Sequence, residues 1–222
     1  MYLPSSFQEA RIDVLHALMR ANPLATLVTV NGSVPDVPEL VADHVPLQTL
    51  ATPAPFGSLR GHIARANPLW RVHDPGREVL CVFQGPQVYI SPSLYPSKQE
   101  SGKVVPTWDY AVVHAHGTLR FIHDAAWLLA LVTELTDVQE SRRSTPWKVD
   151  DAPPSYVSGM LAAIVGFELT ITRLSGKWKV SQNRAAADRR GVVDGLRATG
   201  DPQSRDIADM LAAREPDAPI AG

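Results

Sequence analysis

The stretch GSLRGHIARANPLWRVHDPGREVLCVFQGPQVYISPSLYPSKQESGKVVPTWDY, residues 57–110, decides the fold. Its residues 58–64 read as a strand, RANPLWR as a short helical turn, and 78–91 as a long apolar run interrupted by Gly85-Pro86, where a bulge or tight turn is expected. Between these buried strands sit Arg, Lys and hydroxyl donors together with flat aromatic side chains. A dianionic phosphate requires the first kind of group, and a three-ring heterocycle requires apolar walls with a few aimed polar atoms. The combination suits a flavin nucleotide.

Outward from this stretch the elements continue. Ser6 followed by Glu9 predicts a capping box, with Ile12, Leu15, Leu18 and Met19 at helical spacing until Asn22-Pro23. Residues 25–30 and 40–47 read as neighbouring strands separated by Asn31-Gly32 and a Pro-containing loop. From 111 to 122 the alternation is clean: Val113, Ala115, Gly117, Leu119 and Phe121 point one way, His114, His116, Thr118 and Arg120 the other. Asp124 caps a helix with an apolar stripe of Leu128, Leu131, Leu135 and Val138, and residues 156–165 read as helix again. Residues 166–183 read as a β-hairpin turning at Ser175-Gly176, followed by helices over 185–198 and 203–214. At least six strands without regular βαβ alternation predict a mainly β, α+β architecture: an antiparallel barrel flanked by helices.

Bulk properties exclude several classes. With 222 residues, 45% hydrophobic and 20% charged, the chain reads as one domain over 1–200 plus a C-terminal helix and frayed tail over 201–222. The longest apolar runs are far shorter than the roughly 20 residues of a membrane helix, and the start carries no basic, then apolar, secretion pattern. A cytoplasmic location without membrane contact is expected. The single cysteine, Cys81, lies in a strand run with no adjacent cation, which reads as an inert buried thiol. A net charge of −2 does not support nucleic-acid binding.

The chain resembles the PaiB family of FMN-binding, split-barrel proteins described as negative transcriptional regulators. The resemblance rests on MYLPSSF, LHALMRANPLATLVT, GHIARANPLWR, VYISPSLYPSK, VVPTWDY, PWKV, MLAAIVGFELTITRL, KWKVSQNR and DRRGV, in the family's order. It implies a split Greek-key β-barrel in a homodimer, with FMN bound between the subunits. Two positions depart from the family pattern: Leu94 where a Trp is expected and Asp109 where an Asn is expected. A flavin-dependent oxidoreductase of the NAD(P)H:flavin type, or a haem-handling enzyme, is the alternative on such a barrel.

The cofactor-binding candidates follow. Arg65, at a strand end before Asn67-Pro68, can clamp a phosphate bidentately, and Lys98 of YPSK is a second donor. His62 can face the ring, or simply pack in its strand. Thr107 and Trp108 supply a hydroxyl and an indole wall. In KWKVSQNR, Trp178, Gln182, Asn183 and Arg184 are placed to serve the flavin from the partner subunit, as similar split barrels do. His114 and His116 share a face, but with no third ligand in view they are not assigned to a metal. No nucleophile elbow, activated cysteine or Gly-rich phosphate loop is present, and the catalytic residues are left unassigned.

Overall fold

The structure is a computed structural model that describes residues 1–34 and 37–214. In chain order its elements are β1 (Gln8–Glu9), α1 (Ile12–Ala21), β2 (Leu24–Val34), β3 (Val37–Pro46), β4 (Gln48–Leu50), β5 (Ser58–Ala64), α2 (Leu69–Val72), β6 (Val79–Ile90) and α3 (Ser97–Ser101). They continue with β7 (Thr107–Ile122), α4 (Ala125–Glu140), α5 (Pro154–Ala162), β8 (Ile164–Lys179), α6 (Ala186–Ala198) and α7 (Pro202–Ala212).

Hydrogen-bonded neighbours run β3, β2, β6, β7, β8, β5, β4, with β1 added beside β8. Every described register is antiparallel. β5 pairs with β8 and not with β6, its successor in sequence, which is the long return a Greek key requires. β3, at one end of the path, also lies against β5 near the other, so the sheet closes into the split barrel that the family resemblance implies. Closure removes the open edges that a flat sheet would leave unpaired.

The chain forms two compact units. The first comprises residues 1–18, 84–113 and 175 onward; the second comprises 19–83 and 114–174. In the first, α6 and α7 close a core in which Ile90, Tyr95 and Val180 meet Val192, Leu196, Ile207 and Leu211. In the second, the strand faces bury Leu27, Leu59, Phe83, Phe167 and Leu169, each worth about 1.5–3 kcal/mol when fully withdrawn from water.

Four expectations require correction. The capping box does not form: α1 starts at Ile12, and the Glu9 carboxylate is drawn instead to the backbone N–H and guanidinium of Arg11 and to Arg214. Asn31-Gly32 does not separate the first two strands, because Asn31 still pairs with Glu39 and β2 runs on to Val34. Gly85-Pro86 makes no tight turn, since β6 is unbroken, but its buried positions switch there from 79, 81, 83 and 85 to 88 and 90, partly or fully, the change of face that the alternative expectation, a bulge, produces. Ser175-Gly176 is not a hairpin turn but the interior of β8. A Cβ on Gly176 would lie 2.2 Å from Leu15 Cδ2 and 3.2 Å from the Glu9 carbonyl, so the glycine is there for close packing beside β1. The helix expected over 156–165 is α5, which ends before Ile164 opens β8. The expected fraying of residues 215–222 lies outside the described residues.

Candidate functional site

In the first unit the start of β7 and the end of β8 build a polar cluster beside an aromatic one. Lys179 Nζ donates to Thr107 Oγ1 and to the Trp108 carbonyl, each at 2.6 Å, and lies 3.5 Å from Asp109 Oδ1. Asp109 is wholly buried, and its Oδ2 accepts from Ser181 Oγ at 2.6 Å. Burial pushes the Asp109 carboxyl above its ordinary range, against the pull of the Ser181 hydroxyl and the Lys179 ammonium. Ser181 itself holds φ at 62°, the left-handed region rarely used by residues other than glycine.

On the same stretch of β7, Trp108 remains 49% exposed. Its Nε1 donates to Gln87 Oε1 at 3.2 Å, and its ring meets the similarly exposed Tyr89 edge to face at 6.1 Å. Two large aromatic faces therefore stand in solvent, and the alternation of β7 turns Trp108 to the face opposite Thr107, Asp109 and Lys179. Lys98 is exposed on α3, a short helix pinned where Ser97 donates through its N–H and hydroxyl to the buried Asp188. Leu94, in place of the expected aromatic, packs down onto α6: its Cδ2 lies 2.4 Å from where a Cβ of Gly195 would stand.

The remaining candidates of this unit are engaged within the chain. Trp178 is 2% exposed, with the Arg214 guanidinium over its ring. Gln182 staples the turn after β8, donating to the Ser6 and Trp178 carbonyls and accepting from Val180 N–H. Arg184 lies over the Tyr95 ring at 4.8 Å, and Asn183 is exposed.

The second unit holds His62 and Arg65. The Arg65 guanidinium donates to the Ala162 carbonyl at 2.6 Å and the Ile164 carbonyl at 2.8 Å, tying the α5–β8 corner to the end of β5. His62 is half-buried on β5, its Nδ1 without a hydrogen-bond partner, and burial lowers its pKa. Cys81 is fully buried and its thiol is pushed up to about 12, in keeping with an unreactive side chain. His114 and His116 share their face of β7, but among the described residues no three His, Cys, Asp or Glu side chains converge on a metal-sized point. Among those residues no helix is long and apolar enough to cross a membrane.

Sequence motifs pointed to Thr107 and Trp108, neighbours in the chain whose side chains leave β7 on opposite faces. They missed Lys179 and Ser181, whose only local signal was the Lys-Trp-Lys alternation that buries Trp178 and leaves Lys179 beside Thr107. A pair of exposed aromatic faces fits a flat cofactor.

Comparison with known proteins agrees. Residues 1–173 match the family described as "Putative FMN-binding domain". A protein of Emericella nidulans is 36% identical over 96% of this chain and 97% of its own length. The Bacillus subtilis protein named Protease synthase and sporulation protein PAI 2 is 29% identical over 95% of this chain and 96% of its own. Among solved structures, the FAD and heme binding protein from Mycobacterium smegmatis aligns with a TM-score of 0.55 at 18% identity, over 78% of this chain and 73% of that one. Rv2991 from Mycobacterium tuberculosis aligns with a TM-score of 0.52 at 13% identity, over 83% and 94%. Matched along most of its length in sequence and carrying the same barrel, the chain belongs to the PaiB-like family of FMN-binding split-barrel domains.

Proposed function

We propose that two copies of this chain hold FMN along a shared seam and that the flavoprotein serves a PaiB-type regulatory role. The observation that carries this reading is the solvent-facing Trp108–Tyr89 pair at the start of β7. A protein rarely leaves two large aromatics packed together in solvent unless a ligand or a partner covers them. In this reading Trp108 supplies a wall for the ring system. Lys98, a cation exposed on the short helix α3, supplies charge for the phosphate, and Thr107 is held in place by Lys179. Asn183 and Arg184 reach the flavin of the opposite subunit. Arg65, whose guanidinium is engaged by the Ala162 and Ile164 carbonyls, and His62 are left out of this reading. FMN when bound brings hydride and single-electron chemistry of its own, so the chain needs to bind, orient and bias it and does not need a nucleophile.

The regulatory part rests on the family resemblance; the family description speaks only of FMN binding, and the name of the Bacillus relative only of protease synthase and sporulation. The charge of −2 favours a role in which DNA is not gripped through its phosphates. The test is direct. FMN is titrated into purified protein while absorbance, flavin fluorescence and molar mass are followed. A dimer that quenches flavin fluorescence at one FMN per chain supports the reading, with Trp108→Ala weakening uptake about tenfold. A monomer that stays colourless in excess FMN defeats it. Steady NAD(P)H consumption by the loaded protein would move the assignment from regulator to oxidoreductase.

A further inference from the structure

Trp108 is the second residue of β7 and half exposed, so burial alone does not fix its indole. On the solvent face its Nε1 donates to Gln87 Oε1 and its ring meets Tyr89. A further contact reaches its backbone from the other face of the strand. The Trp108 carbonyl accepts from Lys179 Nζ at 2.6 Å, and the same ammonium donates to Thr107 Oγ1.

The groups that aim this ammonium are arranged at a cost. Asp109, wholly buried, lies 3.5 Å from Lys179 Nζ through Oδ1, an atom without a hydrogen bond, while its Oδ2 accepts from Ser181 Oγ at 2.6 Å. Ser181 presents that hydroxyl with φ at 62°, a conformation disfavoured for residues other than glycine. Arg184, from the turn after β8, adds a second positive charge toward the carboxylate. A buried carboxylate paired with an ammonium is a poor source of stability, since apolar side chains of similar volume commonly serve as well or better. Backbone strain gathers where a group must be kept in one geometry. Here the groups kept in place are the Thr107 hydroxyl and the Trp108 carbonyl.

We propose that Lys179, aimed by Asp109 and Ser181, is a positioning residue: by gripping the Trp108 carbonyl from the buried face of β7 it fixes the indole on the solvent face as a preformed wall for the flavin ring. The inference rests on the FMN reading and adds to it how the wall is held. A wall fixed before the ligand arrives binds more tightly, because the complex does not lose the entropy of ordering it.

The test compares the parent with the Lys179→Met, Asp109→Asn double variant, which leaves no buried charge unpaired, and with Ser181→Gly, which relaxes the backbone and removes the hydroxyl. Two properties of the full-length protein are measured. The first is 15N relaxation of the Trp108 indole N–H without ligand, its resonance assigned by its loss in Trp108→Phe. The second is FMN affinity by fluorescence titration. The Trp108 indole is expected to become mobile in the double variant and, to a lesser degree, in Ser181→Gly, while the buried Trp178 indole stays fixed. FMN binding by the double variant should weaken about fivefold. In a Trp108→Ala background the same pair of substitutions should change FMN affinity by less than about twofold, because the residue they act through is gone. A Trp108 indole as ordered in the double variant as in the parent, or an undiminished loss of FMN affinity in the Trp108→Ala background, would overturn the proposal. Absence of FMN uptake by the parent defeats the flavin reading instead, and the ligand-free indole spectra then decide whether Lys179 fixes Trp108.

Discussion

Asp109 and Lys179 form a pair whose members are unequally placed. The carboxylate is fully buried and the ammonium keeps about a quarter of its side chain in solvent. One carboxylate oxygen has a short hydrogen bond from Ser181; the other has only the ammonium at 3.5 Å, too long for a good hydrogen bond. Lys179→Met would strand the buried charge and release Thr107 and the Trp108 carbonyl together. We expect a loss on the order of 3 kcal/mol in urea denaturation, much of it regained in the Lys179→Met, Asp109→Asn double variant. Asp109→Asn alone tests the proton linkage. Because folding raises this pKa, the folded state holds a proton that the unfolded chain has released, so its contribution to stability falls as pH rises from about 4 toward the folded pKa. The variant should therefore gain on the parent with increasing pH across that window in thermal melts; parallel curves would show that the carboxyl does not titrate in the fold. None of this is legible locally. Thr107 and Trp108 stand out in VVPTWDY, whereas Lys179 joins them only once β8 is folded, 72 residues further along the chain from Thr107.

Elements with a clean period were legible because one face of each is buried. β5 and β7 lie where alternation puts them, β7 extending further toward its start, and the Asp124 cap of α4 is made by a 2.7 Å hydrogen bond from Trp127 N–H. The stripe on α4 holds only in part: Leu128 and Leu131 are buried, but Val138 is exposed. Misreadings occurred where a local signal competed with a distant partner. Ser6 and Glu9 have the spacing of a capping box, yet Glu9 bonds to Arg214, 205 residues away. Ser175-Gly176 has turn chemistry, but nothing in a local window shows that Leu15 and β1 need the space. Most strand glycines on this barrel make room for a neighbouring side chain, but Gly117 in β7 makes room for backbone and is the most demanding of them. A Cβ there would lie 2.1 Å from the Thr170 carbonyl oxygen of β8, a backbone atom with little freedom to move. Gly117→Ala is expected to cost about 3 kcal/mol or more in denaturant unfolding, at or above the upper end of ordinary overpacking. A near-neutral result would mean that β7 and β8 can separate at this point.

At the scale of the whole chain, the histidines whose pKa burial lowers all fall in one of the two units. His62, His73, His114 and His116 all belong to the second, and burial lowers the pKa of each. Below about pH 6.5 the unfolded chain takes up protons that these folded imidazoles refuse, so the second unit loses stability as pH falls toward their folded values. His73 is the sharpest case: both ring nitrogens are buried without hydrogen-bond partners, and the ring sits edge-on to Phe121. The first unit responds differently. Asp109 favours it as pH falls, and Glu9, held low chiefly by its hydrogen bond from Arg11, gives up its contribution only at more acidic pH than an ordinary carboxylate would. Mild acid, near pH 5.5, should therefore loosen residues 19–83 and 114–174 ahead of 84–113 and 175–214. Hydrogen exchange read by mass spectrometry at pH 7.5 and 5.5, corrected for intrinsic rates, would show protection falling in the first set of peptides and holding in the second. His73→Phe should narrow the difference by removing one imidazole that the fold must keep neutral. If protection instead falls evenly along the chain, the two units unfold as one, and the histidines destabilise the barrel as a whole.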